Sequence, residues 1–562
     1  MKKSKFLLLL AISLVLSTFL AACGAGGNTN NTQQGQDNEP PAGEGEPSGE
    51  QILNILESAE IPTMDSVLGT DAVAFNVMNN VFEGLYRLGE NDEVVEGVAT
   101  GHEVSEDGLT YTFNLREDAV WSNGTPVTAN DFVFAWQRAV NPETGSEYGP
   151  YMMSGKIKNA AEVAKGELSV EELGVKALDD YTLEVTLEEP VAYFESLMTF
   201  PTFFPQNQEF VEEQGNNYAL EPEHLIYNGP FVMEEWKHEV SWKLVKNNDY
   251  WDADTVVLEE INVDVVKEVS TGINLYEAGQ IDISPGLTSE FVTKYQDDPN
   301  LISYLQPVLF YFKFNQTKNE ALENVNIRRA IAKGFNKEAI TSVILNNGSL
   351  PANYLIPVNF VEHPETGEDF RAKHGNFNEF NVDEAQELFA KGLEELGQDS
   401  ITVELLGGDT ETSRRMHEFL QAELAKNLPG LTIRVKEVPF AQRLQLDENL
   451  DYDMQLSGWG PDYLDAISFA NLWITDGGNN KMGYSNAEYD RLLNDVMTTL
   501  ANDPAERFEA MQEAERILLE EDAAIAPIYQ RGVTRLWQPY VQNVHMHNFG
   551  PEFSYKWAYI SK

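Results

Sequence analysis

Hydrophobic and polar residues alternate in several short stretches of this chain. In residues 109–115, LTYTFNL, an apolar side chain recurs at every second position, and residues 181–187, YTLEVTL, repeat the pattern. A period of two is typical of a β-strand that buries one face and exposes the other. The two stretches therefore predict half-buried strands.

Other stretches show the longer period of an α-helix. Residues 128–140, TANDFVFAWQRAV, begin with Thr128, place Asp131 three positions later and then carry apolar side chains on one helical face. Thr and Asp in this spacing favour a capping box at the start of a helix. Comparable starts predict a helix over residues 381–393 and another from Asp503 onwards.

Residues 401–438 combine both periods in one unit. ITVELL predicts a strand, TETSRRMHEFLQAELAKN predicts a helix that Pro429 and Gly430 end, and LTIRVKEV predicts a second strand. Two strands joined through a helix usually lie parallel in one sheet. The C-terminal half of the chain is therefore predicted to have an α/β fold.

The first 22 residues resemble a targeting segment. Three lysines within the first five residues precede an apolar run that is too short to span a bilayer comfortably. The run ends in LAACG, residues 20–24, which resembles the lipobox of bacterial lipoproteins, where cleavage leaves a lipidated cysteine at the new N-terminus. The resemblance implies a signal peptide over residues 1–22 and lipidation of Cys23. An ordinary secretory signal with an incidental cysteine is the alternative.

Residues 23–50 follow as the cysteine and a polar segment without apolar periodicity. Gly, Asn, Gln, Glu and Pro dominate this segment, which is typical of a flexible linker. Cys23 is the only cysteine among the 562 residues, so the rest of the chain can form no internal disulfide. The folded body must therefore be stabilised by its hydrophobic core.

The composition is strongly acidic, with 91 Asp and Glu against 38 Lys and Arg and a formal net charge of -53. Such a chain repels nucleic acid and anionic membrane surfaces, so neither is expected as a direct partner of the body. Two interpretations stay open. The charge either solvates the surface in a saline or alkaline exterior, or it creates a field that attracts positively charged ligands.

The chain lacks the short motifs by which many enzymes are recognised. It contains no G-x-x-x-x-G-K-[ST] phosphate loop, no G-x-S-x-G nucleophile elbow, no H-E-x-x-H zinc motif and no EF-hand loop. His545 and His547 could place two ligands on one strand face, but two side chains make an incomplete metal site. Neither catalysis nor a metal or other cofactor is predicted. A surface hydrolase that uses a carboxylate pair stays open, because acidic pairs are too frequent here to single one out.

A longer stretch indicates a family. Residues 97–140, GVATGHEVSEDGLTYTFNLREDAVWSNGTPVTANDFVFAWQRAV, resemble the signature region of the solute-binding proteins of oligopeptide and dipeptide ABC importers, solute-binding family 5. The resemblance continues through YNGPFVMEEW (227–236), LVKNNDYWD (244–252) and SGWGPDYLDAISFANLW (457–473). It covers nearly the whole chain beyond the linker, in order, and is far more specific for the family than for the ligand.

The resemblance implies an α/β fold of two lobes with an extra third domain, similar to the periplasmic binding proteins. A hinge of crossing strands would let the lobes close on a ligand, and YFKFNQ (311–316) and IAPIYQ (525–530) would supply those strands. The implied domains are lobe I (51–95, 217–314 and 526–562), the extra domain II (96–216) and lobe II (315–525).

The same resemblance implies a binding site. In the family, an Asp that follows a Gly-Trp pair receives the α-ammonium group of a bound peptide, and GWGPD places Asp462 in that position. Trp459 would stack on the ligand, and extended ligand backbone would pair with nearby main chain. The implied peptide-binding residues are Asp462, Trp459, Gly458, Gly460, Glu83, Leu85 and Tyr529. A tight turn around a core indole and a solvated acid are the alternative interpretations of Gly-Trp-Gly and of Glu83.

Two departures from the family pattern concern this region. Leu456 stands where some members carry an arginine that helps to hold the ligand carboxylate, so the treatment of the ligand's C-terminus, and with it ligand length, stays open. Asp465 and Ala466 stand in place of the family's common Asp-Pro, which changes a loop.

The implied function is that of a lipid-anchored binding component of an ABC importer on the extracellular face of the cell membrane. It would act as a monomer without catalysis, capture short peptides and deliver them to a permease with its ATPase subunits. The same fold could instead carry a nickel complex, haem, an opine or an oligosaccharide. A sensor that signals through partner contact would share all of these residues.

Overall fold

The computed structural model of the protein describes residues 45–372, 375–501 and 503–562. The predicted signal peptide, Cys23 and most of the predicted linker lie outside these ranges. Within them, no helix combines the length and the apolar character needed to cross a membrane.

β-Strands form the centre of each layer of the structure. In chain order they are β1 (Ile52–Glu57), β2 (Tyr86–Leu88), β3 (Val94–Glu96), β4 (Ala99–Val104), β5 (Thr110–Leu115), β6 (Val175–Asp179), β7 (Thr182–Thr186), β8 (Phe231–Lys237), β9 (Ser241–Lys246), β10 (Glu260–Val265), β11 (Leu301–Phe314), β12 (Leu350–Pro351), β13 (Ile401–Gly408), β14 (Leu431–Val438), β15 (Met454–Trp459), β16 (Ile525–Leu536), β17 (Val541–Gln542), β18 (His545–Met546), β19 (Phe553–Ser554) and β20 (Tyr559–Ile560).

α-Helices cover the sheets. In chain order they are α1 (Ala72–Val81), α2 (Ala129–Val140), α3 (Tyr148–Met153), α4 (Ala160–Ala164), α5 (Phe194–Leu197), α6 (Gln208–Gln214), α7 (Val269–Glu277), α8 (Ser289–Tyr295), α9 (Glu320–Glu323), α10 (Val325–Lys333), α11 (Lys337–Ala339), α12 (Val382–Leu396), α13 (Glu411–Asn427), α14 (Phe440–Glu448), α15 (Ile467–Ala470), α16 (Ala487–Met497) and α17 (Pro504–Arg516).

Three larger sheets organise these elements. The first sheet has the order β1-β10-β9-β8, the second has the order β12-β16-β11-β15-β13-β14, and the third is the antiparallel sheet β4-β5-β7-β6. Parallel pairs occur only at β1–β10 and at β13 with β14 and β15 among the ladders of these sheets. The fold is therefore α/β, with three separate layers of strands in one chain.

The strands and helices predicted from periodicity are confirmed. LTYTFNL and YTLEVTL form β5 and β7, which pair so that the fully buried Phe113 and Leu183 lie opposite each other. α2 begins with the predicted capping box, in which the Thr128 N–H donates to Asp131 Oδ2 at 2.7 Å. Residues 401–438 form β13, α13 and β14, with the two strands parallel.

One helix is longer than predicted. α12 begins after Asn381, whose side chain accepts from the Glu384 N–H, but it runs to Leu396 instead of 393. It ends where Gly397 takes a left-handed conformation with φ of 65°, which stops a helix cheaply because glycine has no Cβ. Periodicity located this helix, and the glycine decides its end.

The strands β11 and β16 pair antiparallel and connect two hydrophobic cores. At one end, Leu536 packs in a cluster with Val269 and Ile273 beside the first sheet, and at the other end Ile528 packs with Leu405 of the second sheet. Two shifts of register interrupt the ladder in its middle. The predicted crossing segments 311–316 and 525–530 form only one half of this longer connection.

The chain contacts its own C-terminus before residue 51, the predicted start of lobe I. The Ser48 N–H donates to the Ile560 carbonyl at 2.9 Å, and Tyr559 Oη donates to the Gly45 carbonyl at 2.7 Å. Part of the segment predicted as linker is therefore attached to the body. The other predicted domain boundaries stay predictions.

Candidate functional site

A cavity of about 710 Å³ lies between the layers of the first and second sheets. Its walls come from β1, β10 and the start of α1 on one side, and from α14, β15 and the loop after β15 on the other. The crossing strands β11 and β16 contribute as well. Most of the peptide-binding residues predicted from the sequence line this cavity, namely Gly458, Trp459, Gly460, Asp462 and Tyr529.

Asp462 lies in the loop that follows β15, and hydrogen bonds fix this loop. The Asp462 N–H donates to Ser468 Oγ at 2.8 Å, and the Pro461 carbonyl accepts from the Gly550 N–H at 2.8 Å. Asp462 is only 6% exposed, and its Oδ2 has no hydrogen-bond partner among the described residues. Because an unpaired buried carboxylate is costly, this oxygen is suited to receive a cation.

Burial raises the pKa of the Asp462 carboxyl well above its ordinary value, because the charged form loses its hydration. The Tyr151 hydroxyl and the Lys156 ammonium group act in the opposite direction. Burial also lowers the pKa of Lys156 to about 8, although Asp462 and Asp465 stabilise its charge. Lys156 Nζ donates to the Tyr151 carbonyl at 3.3 Å. A ligand cation placed beside Asp462 would favour the ionised form of its carboxyl group.

Trp459 is fixed by the same serine as Asp462. Its Nε1 donates to the Ser468 carbonyl at 2.9 Å, and its ring centroid lies 6.4 Å from that of Tyr148 and 6.2 Å from that of Tyr151. Tyr148 and Trp459 line the cavity and form an aromatic wall on which a ligand can stack, whereas Tyr151 contacts Trp459 without lining the cavity. Tyr148 and Tyr151 were missed from the sequence, because no apolar period marks the segment EYGPY.

β15 presents a backbone edge to the cavity. Residues Leu456–Trp459 pair with β11 on one side, whereas on the other side the pairing with β13 ends at Gln455. No other strand of the described ranges joins β15 along this edge. An extended ligand can therefore add itself as a further strand through its own backbone.

Gly458 of β15 and Gly460 just after it also serve the packing of the protein itself. A Cβ at Gly458 would lie 2.9 Å from the ring of Phe310, and a Cβ at Gly460 would lie 3.3 Å from Val308 Cγ2. The Phe310 ring in turn stacks on Tyr529, with centroids 4.7 Å apart and planes 5° apart. Gly458 is thus required for the close approach of β11 and β15, and Phe310 and Tyr529 form an aromatic part of the cavity wall.

Glu83 and Leu85 lie elsewhere, and neither lines the cavity. Glu83 is 1% exposed, its Oε1 lies 3.3 Å from Arg87 Nη1, and Trp251 Nε1 donates to its Oε2 at 3.3 Å. Leu85 is fully buried, and its carbonyl accepts two backbone N–H groups. The structure does not bring this predicted pairing edge to the cavity, because its backbone groups already have partners within the protein. Since Glu83 is buried and paired, the alternative interpretation of Glu83 as a solvated acid is also wrong.

The two departures from the family pattern have different surroundings. Leu456 is half-buried and lines the cavity, so an apolar side chain occupies the position of the family's arginine. Asp465 forms a two-point ion pair with Arg507, with distances of 2.6 and 2.9 Å. This pair fixes the loop after Asp462.

The two histidines near the C-terminus have structural partners. The His545 ring stacks on Trp557 with centroids 4.5 Å apart. His547 Nε2 lies 2.8 Å from Ser554 Oγ, and its Nδ1 lies 3.2 Å from Asp92 Oδ1. Over the part of the chain that the structure describes, no group of three His, Cys, Asp or Glu side chains is arranged to hold a metal ion.

Two α/β layers that enclose a cavity and are joined by crossing strands define a two-lobed ligand-binding protein of the kind that closes around its ligand by a hinge motion. Residues 93–481 match the family model for bacterial extracellular solute-binding proteins, family 5 Middle, and the chain belongs to this family of binding proteins, which are not enzymes.

Named relatives agree with this assignment. The chain is 32% identical to the dipeptide-binding protein of Lactococcus lactis subsp. cremoris over 100% of both chains, and 32% identical to the dipeptide-binding protein DppE of Bacillus subtilis over 99% of both. The solved structure of Listeria monocytogenes OppA bound to peptide matches with a TM-score of 0.88 and 45% identity over 92% of this chain and 100% of that one. The predicted two-lobed fold with a third domain is thereby confirmed.

Proposed function

We propose that the protein is the lipid-anchored extracellular substrate-binding component of an ABC importer and encloses short peptides between its two lobes. One observation carries the proposal: the Asp462 carboxylate is buried in the cavity with an unpaired oxygen, beside the free edge of β15. A carboxylate binds an α-ammonium group and a strand edge binds an extended backbone. These are the groups that all short peptides share, whatever their side chains.

The size of the cavity and the relatives support peptides as the ligand. A volume of about 710 Å³ falls within the usual range of small-molecule sites. The relatives from Lactococcus lactis and Bacillus subtilis are named dipeptide-binding proteins, and the matching Listeria protein was solved bound to peptide.

Lipidation of Cys23 would attach the protein to the outer face of the cell membrane, where it would deliver peptide to a permease and its ATPase subunits. An anchor with two or more acyl chains holds a protein stably on a bilayer. We expect Cys23→Ser to move the protein from the membrane fraction into the medium. Equal membrane retention of both forms in a fractionation experiment would contradict the anchor and leave peptide binding unaffected.

The role of Asp462 can be tested by titration calorimetry with a short peptide. Asp462→Asn removes the negative charge but keeps the shape, so the ligand ammonium group would be buried without a counter-charge. Truncating one partner of such a pair typically costs about 2–5 kcal/mol, which corresponds to an affinity loss of roughly 30- to 5,000-fold.

The matched control is Asp254→Asn, because Asp254 is exposed and does not line the cavity; we expect it to bind like the wild type. N-acetylation of the peptide should weaken its binding to the wild type strongly and to Asp462→Asn only slightly. Unchanged affinity of Asp462→Asn, or equal effects of acetylation on both proteins, would remove Asp462 from the proposed role.

A further inference from the structure

A second buried carboxylate faces the same cavity. Asp71 is 5% exposed, caps helix α1 by accepting from the Ala74 N–H with Oδ1 at 3.0 Å, and lines the cavity. Its other oxygen, Oδ2, is buried and has no hydrogen-bond partner among the described residues. The capping role therefore uses only half of this carboxylate.

Two other aspartates of the cavity are already paired with lysines of the protein. Asp409 lies 2.8 Å from Lys267, and Asp447 lies 2.8 Å from Lys313. Asp71, in contrast, forms no ion pair with any residue that the structure describes. It shares with Asp462 the combination of deep burial, a place on the cavity wall and an unpaired oxygen.

Tyr148, which lines the cavity, contacts both of the elements that carry Asp71 and Asp462. The Tyr148 ring centroid lies 5.2 Å from that of Phe75 in α1, which Asp71 caps, and 6.4 Å from that of Trp459 at the end of β15, just before Asp462. Burial raises the pKa of Asp71 to about 7, and Glu57 adds to this, while Arg443 acts in the opposite direction. Among the described residues Arg443 forms no ion pair with Asp71, and its Nη1 donates to Gln455 Oε1 at 3.4 Å.

We propose that Asp71 receives the cationic side chain of a peptide whose α-ammonium group is held by Asp462, so that the site selects short peptides that contain lysine or arginine. This inference rests on the proposed function and deepens it. A charge-assisted hydrogen bond to a buried carboxylate is stronger than a neutral one. A neutral side chain at the same place would leave Asp71 Oδ2 without a partner.

The experiment compares peptides that differ only in one charge. A set of short peptides carries either lysine or norleucine at one position after the first, and both side chains have the same four-carbon stem. We expect the wild type to bind the lysine peptide about 10- to 100-fold more tightly at one of these positions, as a hydrogen bond to a charged group predicts. Titration calorimetry measures the ratio.

The matched variant is Asp71→Asn, which keeps an oxygen for the helix cap but removes the charge. We expect this variant to bring the lysine-to-norleucine ratio close to one while its affinity for the norleucine peptide stays near that of the wild type. Asp71→Ser also preserves a capping oxygen and provides a second variant if the first does not fold.

A ratio close to one in the wild type at every position, or a lysine preference that persists in Asp71→Asn and Asp71→Ser, would overturn the role of Asp71. These results would leave the norleucine peptide bound through Asp462, so peptide binding itself would stand. Failure of the wild type to bind either peptide would overturn both the proposed function and this inference.

Discussion

Individual buried carboxyl groups indicate where this protein can bind a ligand. Asp462 keeps an unpaired oxygen although it is only 6% exposed, while Glu83, which is 1% exposed, is paired with Arg87. A buried charge without a partner lowers stability unless a ligand supplies the partner. The difference between these two acids therefore separates a ligand-binding carboxylate from a structural one.

Lys337 should make the stability of the protein depend on pH. It is 2% exposed, its Nζ donates to the neutral Asn353 Oδ1 at 2.6 Å, and burial lowers its pKa to about 7. A lysine in the unfolded chain has a pKa near 10.4. Below pH 7, Lys337 is therefore protonated in both the folded and the unfolded state, and the folded state carries the full cost of a buried charge. As the pH rises from about 7 to about 10, the folded state releases its proton first and this cost disappears.

We therefore expect Lys337→Met to exceed the wild type in unfolding free energy by more at pH 6.5 than at pH 9.5, with a difference on the order of 3 kcal/mol. Urea unfolding of both proteins at the two pH values measures it. A stability difference that stays constant with pH would show that Lys337 keeps an ordinary pKa in the folded protein.

At the scale of elements, the free edge of β15 predicts how the ligand backbone is bound. Successive backbone groups of a strand point in opposite directions, so an added strand pairs with the edge through every second residue. N-methylation of one ligand amide removes one hydrogen-bond donor, which is worth about 0.5–1.5 kcal/mol and corresponds to a loss of roughly 2- to 12-fold in affinity.

A scan in which each amide of a bound peptide is methylated in turn should therefore show losses at alternating positions. Peptides with the same methyl group on a side-chain carbon serve as the size control. Equal losses at all amides, or no loss at any, would be inconsistent with strand addition to β15.

Ion pairs across the cavity predict how the whole molecule responds to salt. Lys267 after β10 pairs with Asp409 after β13 at 2.8 Å, Arg415 of α13 lies 3.3 Å from Glu290 of α8, and Arg414 pairs with Glu268. These groups are partly exposed, so each pair is worth at most about 1 kcal/mol. Together they favour the closed arrangement of the two layers.

We expect the triple variant Lys267→Gln, Arg414→Gln, Arg415→Gln to bind peptide less tightly by about 1–2 kcal/mol, or roughly 5- to 30-fold, at low ionic strength. Salt screens exposed charges, so the difference from the wild type should shrink at about 0.5 M salt, where the Debye length is only a few ångströms. Small-angle scattering without ligand should show a more open particle.

The control for this variant removes three cations whose partners lie close by in the same layer. Lys237 pairs with Glu235, Lys318 with Asp451 and Lys426 with Glu423. Replacing these lysines by glutamine changes the net charge equally but should leave affinity unchanged. Equal losses in both triple variants would indicate a general effect of charge instead of a contribution from the pairs across the cavity.

Local patterns determined the elements that depend on neighbouring residues. The alternation in β5 and β7, the capping box of α2 and the strand-helix-strand unit of residues 401–438 were all predicted, because each depends on side chains a few positions apart. The resemblance of GWGPD to the family motif pointed to Asp462 in the same way. The resemblance of successive motifs to those of the binding-protein family also pointed to the family and implied its two-lobed fold.

Only the tertiary structure decided which groups share the cavity. Asp71 and Asp462 lie far apart along the sequence, and only folding brings both to the same cavity. The tertiary structure also pairs Glu83 with Arg87 and leaves Asp462 Oδ2 without a partner among the described residues. The physical reason is that burial and partners depend on residues distant in sequence, whereas the identity and spacing of residues are set within the chain itself.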